Sequence, residues 1–145
     1  MDLATFLLIC IGGFFATYAH YIFALIADKI GLARLDFGKG LSMLLFGESY
    51  DGKPPFMLGF LAVHLNGIIF SLIYSSVLAK HLPGSPLEKG LVWGAILFVF
   101  SQCIFNVFIT KHGLFSLKMH PKAWQTAFIA HAIYGSMVGW LCPII

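Results

Sequence analysis

The stretch Phe56–Ala79, FMLGFLAVHLNGIIFSLIYSSVLA, runs for 24 residues without an Asp, Glu, Lys or Arg. A helix needs about 20 apolar residues to cross the ~30 Å hydrocarbon core of a bilayer, so this segment can span one. Three more stretches share the property: Leu3–Ala27 (25 residues), Gly90–Thr110 (21) and Trp124–Ile145 (22). Backbone in lipid must satisfy its own hydrogen bonds, which makes all four helical. The ~10-residue alternating segments of a membrane β-barrel are absent from the sequence. The expected fold is all-α, an integral membrane four-helix bundle in one domain, with spans at about 3–27, 56–79, 90–110 and 124–145. The first span is expected to be retained, because Met1-Asp2 offers no basic leader and the apolar run is too long for a signal peptide.

Composition agrees. The 145 residues are 59% hydrophobic and 10% charged, with mean hydropathy +0.90 and a formal net charge of +3. A soluble domain carries about a quarter charged residues. So little charge excludes an ordinary water-soluble globule, a disordered segment and a nucleic-acid binder, which needs clustered Lys and Arg. The expected partners are the lipid bilayer and other integral membrane subunits.

The segments between spans set the orientation. Residues 28–55 carry Lys29, Arg34, Lys39 and Lys53, and residues 111–123 carry Lys111, Lys118 and Lys122, against Lys80 and Lys89 on the other side. Seven to two places the first and third loops in the cytoplasm and both termini outside. Trp93 and Trp140 then fall in the outer aromatic belt and Trp124 in the inner one. The second loop, Lys80–Glu88, is a tight turn punctuated by Pro83, Gly84 and Pro86. The first is long and mixed, with Leu32, Leu35, Phe37, Leu41, Leu44, Leu45 and Phe46 among glycines and charges. That much apolar area is costly in water, so a short amphipathic helix at the interface, or docked beneath the bundle, is expected there. Its tail, Glu48–Pro55, reads as a turn into the second span.

Catalytic signatures are missing from the sequence. Cys10, Cys103 and Cys142 form no Cys-x-x-Cys pair, and no phosphate loop, Ser-His-Asp spacing or His-Glu-x-x-His occurs. The spans also lack the acidic residue of a proton- or cation-coupled transporter. What stands out is a set of buried polar side chains: His20, His64 and His131 in the first, second and fourth spans, and Gln102 in the third. Counted from the cytoplasmic ends, all four lie 7 or 8 residues in, roughly 10–12 Å at ~1.5 Å per residue. One polar layer is implied. Each histidine sits on a stripe of small residues: Gly12, Ala16 and Ala24 with His20; Gly67, Ser71 and Ser75 with His64; Ala127, Gly135 and Gly139 with His131. Such stripes are where membrane helices approach closely, so the histidines point inward. Asn106 stacks with Gln102.

Two readings of this layer stand. In one, the polar groups are interhelical glue and no cofactor is needed. In the other, two imidazoles ligate a haem b axially, or the layer holds a metal or a quinone headgroup. His112 and His120 could add to a metal site from the same face, whereas His81 reads as solvated. Phe98, Phe100, Phe105 and Phe108 are expected on the outside of the bundle.

The run Leu58–Gly94, with His131-Ala-Ile-Tyr-Gly-Ser-Met-Val-Gly139, resembles a family of small four-span bacterial inner-membrane proteins of unknown function. The shared features are His64 and Gly67, the Leu82-Pro83-Gly84 turn, Lys89-Gly90 with Gly94, and His131, Tyr134, Gly135 and Gly139. The resemblance covers the last three spans; a proline expected near the end of the third is replaced by Asn106-Val-Phe-Ile-Thr. It implies the fold and a bacterial inner membrane, with no activity attached. The function expected is a non-catalytic accessory or assembly subunit of a larger membrane complex. The alternative is a haem b- or quinone-binding redox protein built on His20, His64, Gln102 and His131.

Overall fold

The computed structural model describes residues 1–46 and 56–145 of the chain, and these contain helices and no strand. Helix α1 (Leu3–Ile26) starts where the Asp2 carboxylate accepts the Thr5 N–H at 2.7 Å. Helix α2 (Phe37–Phe46) follows Asp36, which accepts the Lys39 N–H at 2.9 Å. Helix α3 (Phe56–Ile73) continues through a π-helical stretch, Tyr74–Leu78, into a 3-10 turn, Ala79–His81. Helix α4 (Pro86–Val99) opens with a capping box between Ser85 and Glu88 and a proline in its first turn, then runs on as a π-helix, Phe100–Ile109. Helix α5 spans Ala123–Leu141.

Three of these runs, Leu3–Ile30, Met57–His81 and Pro86–Ile109, are long and apolar enough to cross a membrane. The chain is thus an all-α, multi-pass membrane protein. Helix α5 has 19 residues and falls outside that group; Gln125, Thr126, His131, Tyr134 and Ser136 dilute its apolar character. The α4 helix begins ahead of the expected position 90, because Glu88 and Lys89 belong to a capped first turn. Charge marks where lipid ends, and a helix can continue beyond it.

Helix α1 packs against both α3 and α5, α5 also against α4, and α2 against α3. The expected small-residue stripes make these contacts. A Cβ on Gly12 would meet Cys142 Sγ at 2.8 Å, and one on Gly13 would meet Ser71 Oγ at 2.5 Å. Between α4 and α5 the fit is reciprocal: Gly90 and Gly94 face Gly135 and Gly139, and a Cβ on any of the four would run into a backbone carbonyl of the other helix or the residue that starts it. At one end of α5 the Thr126 hydroxyl donates to Ala33 O at 2.8 Å. At the other end Cys142 lies against Ile9, and Ile145 N–H reaches Ser75 O at 3.0 Å.

The described part of the first loop, residues 28–46, folds onto the bundle. After Gly31, at φ 78°, the chain turns back so that Leu35 N–H donates to Ala24 O at 2.9 Å. Ala33 and Leu35 join Ala24, Ala123 and Ala127 in a small core. Helix α2 is the short helix expected in this loop; Gly38 and Ser42 bring it against Gly59 of α3. The turn expected over Glu48–Pro55 lies outside the described residues.

Two aromatic expectations are corrected. Trp93 is only 7% exposed and packs edge-on against Phe70 at 6.1 Å, so it is core and not belt, whereas Trp140 is 79% exposed. Phe98 turns inward to Phe128 at 5.4 Å and lies 6.1 Å from His131, while Phe100 and Phe108 face outward as expected.

Candidate functional site at the junction of three helices

The glue between helices is made by hydroxyls. Tyr134 on α5 donates to Gly67 O on α3 at 2.6 Å and lies 2.9 Å from Ser71 Oγ. Thr17 on α1 fills the space beside Gly67, and its own hydroxyl donates to Gly13 O at 2.7 Å. Among the described residues, none of the three histidines makes a hydrogen bond to another helix. His64 and His131 each place Nδ1 on the carbonyl four residues back, Phe60 at 2.8 Å and Ala127 at 2.7 Å. A carbonyl can only accept, so Nδ1 carries the proton and Nε2 the lone pair.

Three histidines do converge. His20 stands 5.2 Å from His131, ring edge to ring face, and within electrostatic reach of His64. Phe37, the first residue of α2, lies flat on His20 at 4.7 Å and 9°. His64 is wedged among Phe60 at 4.0 Å, Phe14 at 4.7 Å and Tyr18 at 6.2 Å. Both nitrogens of His20 and Nε2 of His64 are buried and have no hydrogen-bond partner among the described residues.

Gln102 belongs elsewhere. Its amide oxygen accepts from Ser116 at 3.1 Å and its nitrogen lies 3.3 Å from Ser101 Oγ. Ser116 in turn accepts from Asn106 Nδ2 at 2.6 Å, and Thr110 donates to Asn106 Oδ1 at 3.2 Å. The four polar residues expected in one layer therefore divide into a histidine junction of α1, α3 and α5 and an amide–hydroxyl cluster on α4. The second cluster exists because the third loop folds back: Lys111, Phe115 and Ser116 all adopt positive φ, which carries the Ser116 hydroxyl inward. The histidines of that loop stay local, with His120 Nδ1 capping the Lys122 N–H at 3.0 Å. No group of three His, Cys, Asp or Glu among the described residues is arranged to hold a metal ion.

One polar residue escaped the sequence argument. Asn66, inside the second span, is exposed on the outer surface of α3 and makes no hydrogen bond among the described residues. It sits two positions from His64, which puts it on the opposite side of the helix from the small-residue stripe. That offset is the signal that could have found it.

No protein family, curated protein or solved structure gives a match to this chain.

Proposed function

We propose that the protein is a small four-span subunit of a bacterial inner membrane, both termini periplasmic, that packs against a larger membrane complex as a non-catalytic accessory or assembly subunit. Asn66 carries this reading. It lies near the middle of the apolar run Met57–His81 and faces outward. An amide left unbonded in hydrocarbon costs roughly 4 kcal/mol or more, and its short side chain cannot snorkel to water. Another membrane helix supplies the missing donor and acceptor. Tyr18 adds to the case, being 45% exposed near the middle of α1 with no hydrogen bond among the described residues.

The fourth crossing is supported by α5 running from Ala33 at one end of α1 to Ile9 at the other. The orientation draws on Lys122 Nζ donating to Gly31 O at 2.7 Å, a bond between the first and third loops, whose described residues include Lys29, Arg34, Lys39, Lys111, Lys118 and Lys122. A bacterial setting rests on the sequence resemblance.

The test is a photoreactive residue at Ile69, one turn from Asn66, in cells at native expression. A discrete adduct to a different membrane protein, lost on Asn66→Leu, is the expected result. Lipid adducts alone, or adducts only to a second copy of the chain, would overturn the accessory reading. A reporter fused after Ile145 and active only in the cytoplasm would overturn the orientation.

A second reading, haem b or quinone binding, draws on the tautomers of His64 and His131. Metal-ligating histidines are held in this way, with one N–H spent on a carbonyl and the other nitrogen free. It requires the rings packed at 4.0 and 4.7 Å around His64 and His20 to part. A Soret band in the purified protein would support it.

A further inference from the structure

The third loop carries charge that its own half of the chain does not answer. Residues 111–123 hold Lys111, Lys118 and Lys122, and the sequence has no Asp or Glu after Glu88. Lys122 is spent on Gly31 O, but the exposed side chains of Lys111 and Lys118 have no ion-pair or hydrogen-bond partner among the described residues. The back-fold of the loop gathers these two. Lys118 N–H donates to His112 O at 3.2 Å, which sets Lys118 against the residue that follows Lys111. The Lys118 stem lies over Gly113, where an added Cβ would meet its Cγ at 3.3 Å. Two ammonium groups on one edge repel, and an anion between them relieves the repulsion.

The loop also lies where lipid headgroups lie. It starts directly after the apolar run Pro86–Ile109 and ends at Trp124, a residue type that favours the membrane–water boundary. Leu114, Leu117 and Met119 are each about half exposed, so apolar side chains alternate with lysines on its outer surface. On its inner side Phe115 packs on Phe98 at 6.3 Å, and Phe98 is also a wall of the groove between α4 and α5. That groove, about 170 Å³, is apolar throughout, and Leu91, Ala95 and Phe128 form its exposed rim. Phe128 and Ala132 stand 6 and 10 residues beyond Lys122, about 9–15 Å along α5. This is the depth of the acyl chains of one leaflet.

We propose that the loop and the groove form one binding site for an anionic phospholipid, whose phosphate oxygens accept from the ammonium groups of Lys111 and Lys118 while an acyl chain lies between α4 and α5. A zwitterionic lipid offers the same chain, but its own cation cancels the charge that the lysines need. A free phosphate suits the lysines and leaves the groove without a ligand. The site requires only that the chain crosses a membrane; it depends neither on the accessory role nor on which way the termini face.

The test is native mass spectrometry of the full-length protein in detergent, titrated with phosphatidylglycerol or with phosphatidylcholine of the same chains. One phosphatidylglycerol is expected to bind in preference. Lys111→Gln and Lys118→Gln should each weaken it about fivefold, the contribution of one basic residue near an anionic surface, and leave phosphatidylcholine unchanged. Ala95→Phe, which fills the groove from its rim, should weaken both lipids alike; should it misfold, Ala132→Leu fills the groove from α5. Equal binding of the two lipids, or a preference that survives loss of both lysines, overturns the proposal. So does indifference to the filled groove, or competition by glycerol phosphate at the concentration of the lipid itself, which would mark a site for soluble anions. Photo-crosslinks from position 118 in cells that reach a protein and no lipid would equally overturn it.

Discussion

The α4–α5 contact and the α1–α3–α5 junction hold helices together by opposite means. In the first, Gly90, Gly94, Gly135 and Gly139 remove side chains altogether, so backbones touch and no polar side chain is needed. Where the match opens, a cavity of about 170 Å³ forms, lined by Leu91, Gly94, Ala95, Phe98, Phe128 and Ala132. In the second, hydroxyls and imidazoles fill the space, and the imidazoles leave nitrogens unspent. The first region is a backbone-to-backbone fit, whereas the second keeps buried polar atoms with no hydrogen-bond partner among the described residues.

The largest expected effect tests the dry contact. Gly135→Val drives side-chain carbon into Gly90 O and the Gly94 backbone, and backbone cannot yield as a flexible side chain can. Overpacking of this kind should cost roughly 3 kcal/mol or more, read as loss of folded protein in a mixed-micelle SDS titration. Tolerance of valine there would mean that α4 and α5 are not in the contact described.

Next comes the hydroxyl bridge. Tyr134→Phe removes the bond to Gly67 O and the Ser71 contact while keeping the ring. The loss should be about 1–2 kcal/mol, since interhelical hydrogen bonds in membranes are worth ~0.6 kcal/mol on average and ~1.7 at most. A smaller step is expected in the α4 cluster. Ser116→Ala removes the hydroxyl shared by Gln102 and Asn106 but also relaxes nothing of the positive-φ backbone at that residue, so about 1 kcal/mol should be lost. Proteolysis of the third loop, faster in the variant than in the parent, would check it independently.

Much of this was readable beforehand, and for identifiable reasons. Charge-free length locates helices in lipid, and the spacing of Gly12, Ala16, Gly67, Gly135 and Gly139 predicts their contacts, because both follow from one-dimensional periodicity. The inward facing of the histidines follows from the same stripes. What they bond to does not: depth along a helix says nothing of azimuth, so Gln102 shares a predicted level with His20 and yet turns to Ser116. The back-folded loop depends on positive φ at Lys111, Phe115 and Ser116, residues with no preference for that conformation, so no turn signal announces it. Depth alone puts Trp93 in the belt, and its burial depends on Phe70 of another helix.

The smallest expected effect separates the two regions most sharply. If the histidines were glue, His64→Leu should destabilise the bundle as Tyr134→Phe does. In the structure, His64 gives its helix a bond from Nδ1 to Phe60 O, leaves Nε2 buried without a partner among the described residues, and meets α1 only through ring contacts, with no hydrogen bond across the interface. Leucine of similar volume forfeits the ring contacts with Phe60 and Phe14, a modest cost, and removes the desolvated nitrogen, a modest gain. Replacing an unsatisfied polar group with an apolar one of like shape is close to neutral or stabilising, so the net change should fall within about 0.5 kcal/mol of zero. His20→Leu, which removes two unpartnered nitrogens, should lie further toward stabilisation. A loss above about 1 kcal/mol for His64→Leu would return the junction to the class of the α4–α5 contact, as packing with polar trim. A neutral or stabilising change would mean that the His64 imidazole adds nothing to the stability of the bundle, unlike the glycine contact between α4 and α5.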